Sequence, residues 1–257
     1  MLMAEKNTQF KGTMTDTTFV EFHFKKYLPN TSCFVRSNED IYDAVYLWNM
    51  QSNMQSNMQS TPISEIGHIS DWDTSAVTDM TKLFYCKIAF NEDIGSWDVS
   101  NVTTMRHMFN GAIAFNQDIG TWDVSNVVDM SLMFENTKTF NRDISSWNVS
   151  CVTDMSSMFS HTKAFNQDIG SWNVSEVVNM AHMFMDAHVF NQDIGQWDVS
   201  SVTNLSYMFC WAATFNQDIV QWRVSDIAER RHIFENAYNF DQGFGWWDTG
   251  SDIYYRI

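Results

Sequence analysis

Residues 94–118 read IGSWDVSNVTTMRHMFNGAIAFNQD, and this 25-residue pattern recurs without insertion along most of the chain. Phenylalanine, isoleucine and methionine columns keep the same register from one copy to the next. A fixed period of this length is typical of a repeat architecture, in which each unit buries its apolar side chains against its neighbours. The most regular column is a structural ladder of tryptophans at Trp72, Trp97, Trp122, Trp147, Trp172, Trp197, Trp222 and Trp247.

One repeat predicts a strand, a helix and a return loop. The apolar positions of residues 94–99 follow the i, i+3, i+5 spacing of a leucine-rich-repeat strand, which predicts a short strand near residues 96–100. Apolar residues within 102–112 fall on one face of a helix of two to three turns. Residues 114–118 have no helical period and predict the loop. The sequence therefore predicts an α/β solenoid, leucine-rich-repeat-like, of about eight such coils.

Three regions follow from this pattern. Residues 1–36 are predicted to form an N-terminal arm with an extra β-strand, because large apolar residues alternate with more polar ones. Residues 37–62 contain a cap helix followed by Asn-Met-Gln-Ser three times over, which either extends that helix or forms a loop. Residues 63–257 are the repeat solenoid, which ends in a degenerate C-terminal cap.

Composition excludes several classes of protein. The 31 acidic and 15 basic residues give a net charge of −16, which disfavours nucleic acid and favours protein partners with basic surfaces. No apolar run has the length of a signal peptide or a spanning helix, so we expect no membrane insertion. The four cysteines are widely spaced, as free thiols are, and the histidines lack metal-ligand spacing. We therefore expect no cofactor, no metal site and a virion or cytoplasmic location.

The repeats resemble a known family. DIGSWDVSNVTTM at 93–105, MF at 108–109 and AFNQD at 114–118 are similar to the units of the BspA-like leucine-rich-repeat surface proteins. The lead-in, AVYLW at 44–48 and GHISDWDTS at 67–75, is similar as well. Members occur in bacteria, including mycoplasma lipoproteins, in protists and algae, and in large DNA viruses. The resemblance implies binding or surface architecture, with no catalytic residues to carry over.

These observations favour a non-catalytic structural or protein-interaction module in a larger assembly. A minor capsid or surface component of a large DNA virus fits the acidic composition and the family range. A cell-surface adhesin or antigen of the BspA-like type is the alternative. An enzyme is the third class, and no nucleophile-elbow, phosphate-loop or dinucleotide motif supports it.

The aspartates that precede the column isoleucines have two interpretations. Each carboxylate accepts backbone N–H bonds in the return turn, or neighbouring carboxylates hold calcium between coils. The first is favoured, because the glycine-rich nonapeptide of calcium β-rolls is absent. The column is Asp93, Asp118, Asp143, Asp168, Asp193 and Asp218.

A protein-interaction surface is predicted where the outer positions of the repeats vary most. Aromatic, histidine and methionine side chains concentrate there in the C-terminal half, and such types are enriched in interfaces. The apolar arm adds a second candidate contact, because an isolated strand needs a partner. The predicted contact residues are His182, Met185, His188, Tyr207, Trp211 and Tyr238 in the repeats, with Phe19, Phe22 and Phe24 in the arm.

Overall fold

The computed structural model describes residues 34–53, 66–242 and 245 of the 257-residue chain. The predicted arm strand with Phe19, Phe22 and Phe24, the end of the Asn-Met-Gln-Ser segment and Trp247 lie outside these residues. Regular elements are concentrated at the N-terminal end. They are strand β1 (Val35–Ser37), helix α1 (Ile41–Asn53), a short 3-10 helix (Ile69–Asp71) and strand β2 (Asp73–Ala76).

Residues 34–53 cover the first repeat unit. β1 pairs in parallel with β2, so the boundary predicted after residue 36 falls inside a strand that belongs to the repeat body. Arg36 is buried, with its guanidinium carbon 4.4 Å from the centroid of the Trp72 ring. Arg36 Nη1 also makes a 3.3 Å ion pair with Asp40 Oδ2, and Nη2 donates to the carbonyl of Ile66 at 2.7 Å. A cation–π contact therefore caps the tryptophan ladder.

Helix α1 lies at the position predicted for the cap helix. Asp40 precedes it, and Asp40 Oδ1 accepts the backbone N–H of Ser37 at 2.6 Å. The helix buries Ile41, Ala44 and Val45 against the repeat core. Covering the first unit in this way removes apolar surface that has no preceding repeat to bury it.

Successive units are joined by hydrogen bonds between residues about 25 positions apart. Single parallel bridges connect Asp79 to Thr104 and each equivalent pair up to Asn204 and Glu229. In residues 105–111, for example, every second backbone N–H donates to a carbonyl of the next unit. Met105 donates to the carbonyl of Asp129 at 2.9 Å, and Gly111 donates to that of Glu135 at 2.8 Å.

The prediction of a short helix in each coil is wrong, because residues 77–242 contain turns and irregular segments and no helix. The N–H groups between the inter-unit bonds close three-residue turns, as from Met108 to the carbonyl of Met105 at 3.0 Å. Two positions per unit also take a left-handed backbone, here His107 at φ +57° and Gly111 at φ +73°. An α-helix needs bonds to residue i−4 and a right-handed backbone throughout, so it cannot form here.

The strand predicted near residues 96–100 does not form either. Asp98 Oδ1 accepts the N–H of Ser100 at 2.9 Å, which removes a donor that a strand ladder would use. The parallel bridge instead lies at Thr104. The side chains of this segment still point inward and outward as the apolar pattern requires, with Trp97 and Val99 buried.

The core is a set of stacked aromatic columns. Trp147 and Trp172 are only 3% exposed, and their ring centroids lie 6.4 Å apart with nearly parallel planes. Trp147 Nε1 donates to the carbonyl of Ile119, 28 residues earlier, at 3.1 Å. The same bond is made by the equivalent residues Trp97, Trp122, Trp172, Trp197 and Trp222.

Polar ladders close the return loops. Asn91 Oδ1 accepts the N–H of Asn116 at 2.8 Å, and Gln117 Nε2 donates to the carbonyl of Asn91 at 2.7 Å. Asp93 Oδ1 accepts the N–H of Gly95 at 3.0 Å. The backbone N–H bond that the favoured interpretation expects is therefore present, and the same bond is made at Asp118, Asp143, Asp168, Asp193 and Asp218.

Candidate interaction surface

The outer turns of the last four described units form one continuous surface. We call residues 156–164, 181–189, 206–214 and 231–239 the C-terminal turn face. Adjacent stretches in this set are joined by backbone bonds, such as Tyr207 to the carbonyl of Arg231 at 2.9 Å. The face contains two basic residues, two acidic residues and four histidines, so its formal charge is zero with neutral histidines.

Left-handed backbone positions set the direction of the side chains on this face. His182, Tyr207 and His232 occupy one such position in three consecutive units, at φ values of +60°, +59° and +55°. His161, Asp186 and Trp211 occupy the second position. A left-handed residue other than glycine costs free energy, and Asn, Asp and His tolerate the conformation best.

His182, Tyr207 and His232 form a stacked row. The His182 and Tyr207 ring centroids are 4.9 Å apart, and the same distance separates Tyr207 from His232. Met185 Sδ lies 3.3 Å from His182 Nδ1. Burial lowers the pKa of His182, and the charge of Glu135 partly offsets this effect.

A second cluster centres on Asp186. Its Oδ2 is 2.8 Å from His161 Nδ1 and 3.6 Å from Lys163 Nζ, while its Oδ1 contacts His188 Nε2. Partial burial disfavours the charged carboxylate, but the hydrogen bond from His161 and the charges of His188 and Lys163 outweigh that cost. The pKa of Asp186 is therefore lowered.

Trp211 and Tyr238 give the face an exposed aromatic edge. Their side chains are 43% and 68% exposed, and the ring centroids meet edge to face at 6.0 Å. Cys210, beside Trp211, is buried and unpaired, and desolvation raises the pKa of its thiol to about 11. This thiol is therefore a poor nucleophile at neutral pH.

The structure brings the six predicted repeat residues onto one face but divides them among three clusters. Met185 and Tyr207 contact His182, His188 contacts Asp186, and Trp211 contacts Tyr238. Asp186, His161 and Lys163 were not among the predicted contact residues. The signal was available, because His161 and Asp186 are separated by 25 residues and equivalent positions in adjacent units are neighbours.

No cluster of His, Cys, Asp or Glu in the described part of the chain has the arrangement of a metal site. Within the same residues, no helix is long and apolar enough to cross a membrane.

One family model matches most of the chain. It is described as "Mycoplasma protein of unknown function, DUF285" and matches residues 48–170 and 153–255. The chain belongs to this family. The DUF285 match supports the coarser part of the resemblance, a repeat-containing surface protein family. It also covers the whole C-terminal turn face, so that face is built from the family's own repeats. No curated protein and no solved structure matches the chain.

Proposed function

We propose that the chain is a rigid solenoid that acts as a non-catalytic interaction module within a larger assembly. The observation that carries this proposal is the C-terminal turn face. This face presents partly exposed aromatic and histidine side chains at left-handed positions. Packing of the core does not explain why residues of these types stand there. Trp211 and Tyr238 are the principal contacts, because exposed aromatic residues dominate the binding energy of protein interfaces.

The inter-unit bonds and aromatic columns support the rigidity that this role needs. A stack in which each unit is bonded to its neighbours holds surface side chains at fixed spacing. Such a surface binds a partner with little loss of conformational entropy. The acidic composition of the chain favours a partner with a basic surface.

We propose a minor capsid or surface component of a large DNA virus as the setting. The alternative is a cell-surface adhesin or antigen of the BspA-like type. Mass spectrometry of purified virions and of a washed cell-surface fraction separates the two settings. Recovery in neither fraction would contradict both.

A variant pair tests the contact itself. Trp211→Ala combined with Tyr238→Ala should reduce incorporation into the native particle or surface fraction at least tenfold, because a hot-spot aromatic contributes about 2 kcal/mol or more. Tyr85→Ala is the matched control, since Tyr85 is 45% exposed and also meets a neighbouring ring edge to face, but outside the C-terminal turn face. Equal incorporation of both variants and the wild type would refute the assignment.

A further inference from the structure

The outer turns of the first three repeat units form a positively charged surface. We call residues 81–89, 106–114 and 131–139 the N-terminal turn face. Backbone bonds join the three stretches, such as Phe84 to the carbonyl of Met108 at 2.9 Å. The face contains four basic residues and one acidic residue, so its formal charge is +3 with a neutral histidine. Because the whole chain carries −16, the other residues carry −19, and this face stands out against them.

Most of this positive charge is not neutralised by neighbouring carboxylates. Arg106 Nη1 is 3.9 Å from Asp129 Oδ2, so the charge of Arg106 is partly offset. Glu135, the acidic residue of the face, accepts a hydrogen bond from Asn110 Nδ2 instead of joining a lysine. In the described part of the chain, three lysines of the face have no ion pair. They are Lys82, Lys87 and Lys138.

Basic groups of adjacent units lie close together around His107. Burial lowers the pKa of His107, and the charges of Arg106 and Lys82 lower it further, against the opposing charge of Asp129. Lys82 Nζ is 5.8 Å from the centroid of the Tyr85 ring, which meets the His107 ring edge to face at 6.0 Å. An anion that approaches this face therefore meets basic groups from two units at once.

Aliphatic side chains stand among these lysines. Ile88 is 62% exposed, and the equivalent positions of the next two units hold the partly exposed Ile113 and the exposed Lys138. Ala114 N–H donates to the carbonyl of Ile88 at 3.0 Å, and Thr139 Oγ1 donates to that of Ile113 at 2.9 Å. These bonds hold the three positions side by side. The face therefore combines cationic and aliphatic groups on one bonded surface.

Exposed carboxylates such as Asp98 and Asp123 lie on the opposite side of the core. Trp122 reaches inward from the segment that contains Asp123, Phe109 reaches inward from the turn face, and their ring centroids meet at 6.3 Å. Charges at a surface are largely screened beyond about 8 Å in physiological salt. The carboxylates of the far side therefore do little to repel an anion that contacts the N-terminal turn face.

The side chains of this face favour a lipid bilayer over other anionic partners. Nucleic acid is bound through its phosphates and, when single-stranded, by stacking on aromatic rings, and neither contact uses an exposed isoleucine. Protein interfaces are enriched in arginine and aromatic residues and depleted in lysine. An anionic membrane attracts lysines electrostatically, and the boundary between its headgroups and acyl chains accommodates apolar side chains.

We propose that the N-terminal turn face binds the surface of an anionic lipid bilayer without crossing it. Lys82, Lys87 and Lys138 contact the lipid phosphates, and Ile88 enters the headgroup region between them. This contact is separate from the proposed interaction through Trp211 and Tyr238, so either can fail without the other. The Tyr85→Ala control keeps all of the lysines and isoleucines of the face.

Flotation of the full chain with lipid vesicles at neutral pH is the test. Phosphatidylcholine vesicles are compared with vesicles that contain about one quarter phosphatidylserine. We expect binding to the anionic vesicles to be at least tenfold tighter, because each lysine near such a surface contributes about fivefold. Salt at about 0.5 M should weaken the binding. Equal binding to both kinds of vesicle, or binding to neither, would overturn the proposal.

The first variant pair tests the lysines. Lys82→Gln with Lys87→Gln should weaken binding to anionic vesicles at least tenfold, by the same reasoning. Arg142→Gln with Arg223→Gln is the matched control, because it removes the same charge outside the face and should bind like the wild type. Its return loop survives, since Gln117 makes the bond equivalent to that of Arg142. Equal weakening in both pairs would mean that overall charge, and not this face, governs binding.

The second variant pair tests the apolar contact. Ile88→Ser should weaken binding to anionic vesicles about threefold or more, because the aliphatic group no longer enters the headgroup region. Ile227→Ser is the matched control, since Ile227 is 81% exposed and lies outside the face. Unchanged binding of Ile88→Ser would contradict the bilayer as the partner. So would binding of polyglutamate or single-stranded DNA by a chain that does not bind vesicles. Circular dichroism of each variant verifies folding.

Discussion

Removal of one ladder tryptophan tests the stacking of the units directly. Trp147 is 3% exposed, stacks on Trp172 at 6.4 Å and contacts Phe134 with ring centroids 6.3 Å apart. Truncation of a buried tryptophan to alanine removes its transfer free energy and leaves a cavity, at a cost of about 3–5 kcal/mol. Ile119 also loses the donor to its carbonyl, which adds about 1 kcal/mol if water does not replace it. We therefore expect Trp147→Ala to lower the free energy of unfolding by at least about 3 kcal/mol.

Chemical denaturation followed by circular dichroism and by tryptophan fluorescence measures this cost. Because the stability of a repeat stack is a sum of unit and neighbour terms, a weak central unit can divide unfolding into two transitions. Trp147→Phe separates the two contributions, since it keeps most of the ring packing and loses the N–H donor. Trp211→Ala serves as the surface control and should change stability by less than about 0.5 kcal/mol. A cost below about 1 kcal/mol for Trp147→Ala would refute the buried ladder.

Three further outcomes are expected from the geometry. Asn166→Ala should destabilise the chain by about 1–3 kcal/mol, because Asn166 Oδ1 accepts the N–H of Asn191 at 2.9 Å, whereas Asn166→Asp retains the acceptor and should melt near the wild type. Ser157→Val should cost about 1–3 kcal/mol at its φ of +55°, while Ser157→Gly should be neutral or stabilising; equal melting temperatures would contradict the left-handed backbone. A calcium chelator should leave the melting temperature unchanged, since backbone N–H groups bind the aspartate column; a drop that added calcium reverses would show instead that the ion is structural.

Sequence periodicity determined which side chains are buried together. A residue that recurs every 25 positions meets its own equivalents whenever the units stack, so the tryptophan and phenylalanine columns follow from the period alone. The aspartate bonds also follow, because an Asp two residues before a free N–H closes a local turn whatever the wider fold. Periodicity also identified the aromatic contact residues, because they stand at outer positions where the residue type varies from one repeat to the next.

The local path of the backbone does not follow from the sequence period. Spacings of three and four residues are shared by a helix and by successive three-residue turns, so the apolar pattern of residues 102–112 cannot distinguish them. The difference lies in where alternate N–H groups find acceptors, and the carbonyl of Asp129 is 24 residues from Met105. The left-handed residue at His107 likewise has no sequence signature apart from its histidine.

Only the tertiary structure decided the contacts that depend on adjacent units or on chain outside the repeat. Arg36 has no periodic relation to Trp72, yet β1 places its guanidinium over that ring, where the Asp40 carboxylate and the Ile66 carbonyl hold it. Asp186 gathers two histidines and a lysine because neighbouring turns stand one unit apart. The sequence alone gives each residue its chemistry and its place in the 25-residue period, and with them whether its side chain is buried. Its partners across units are fixed only when the stacking distance and backbone direction place their atoms within bonding range.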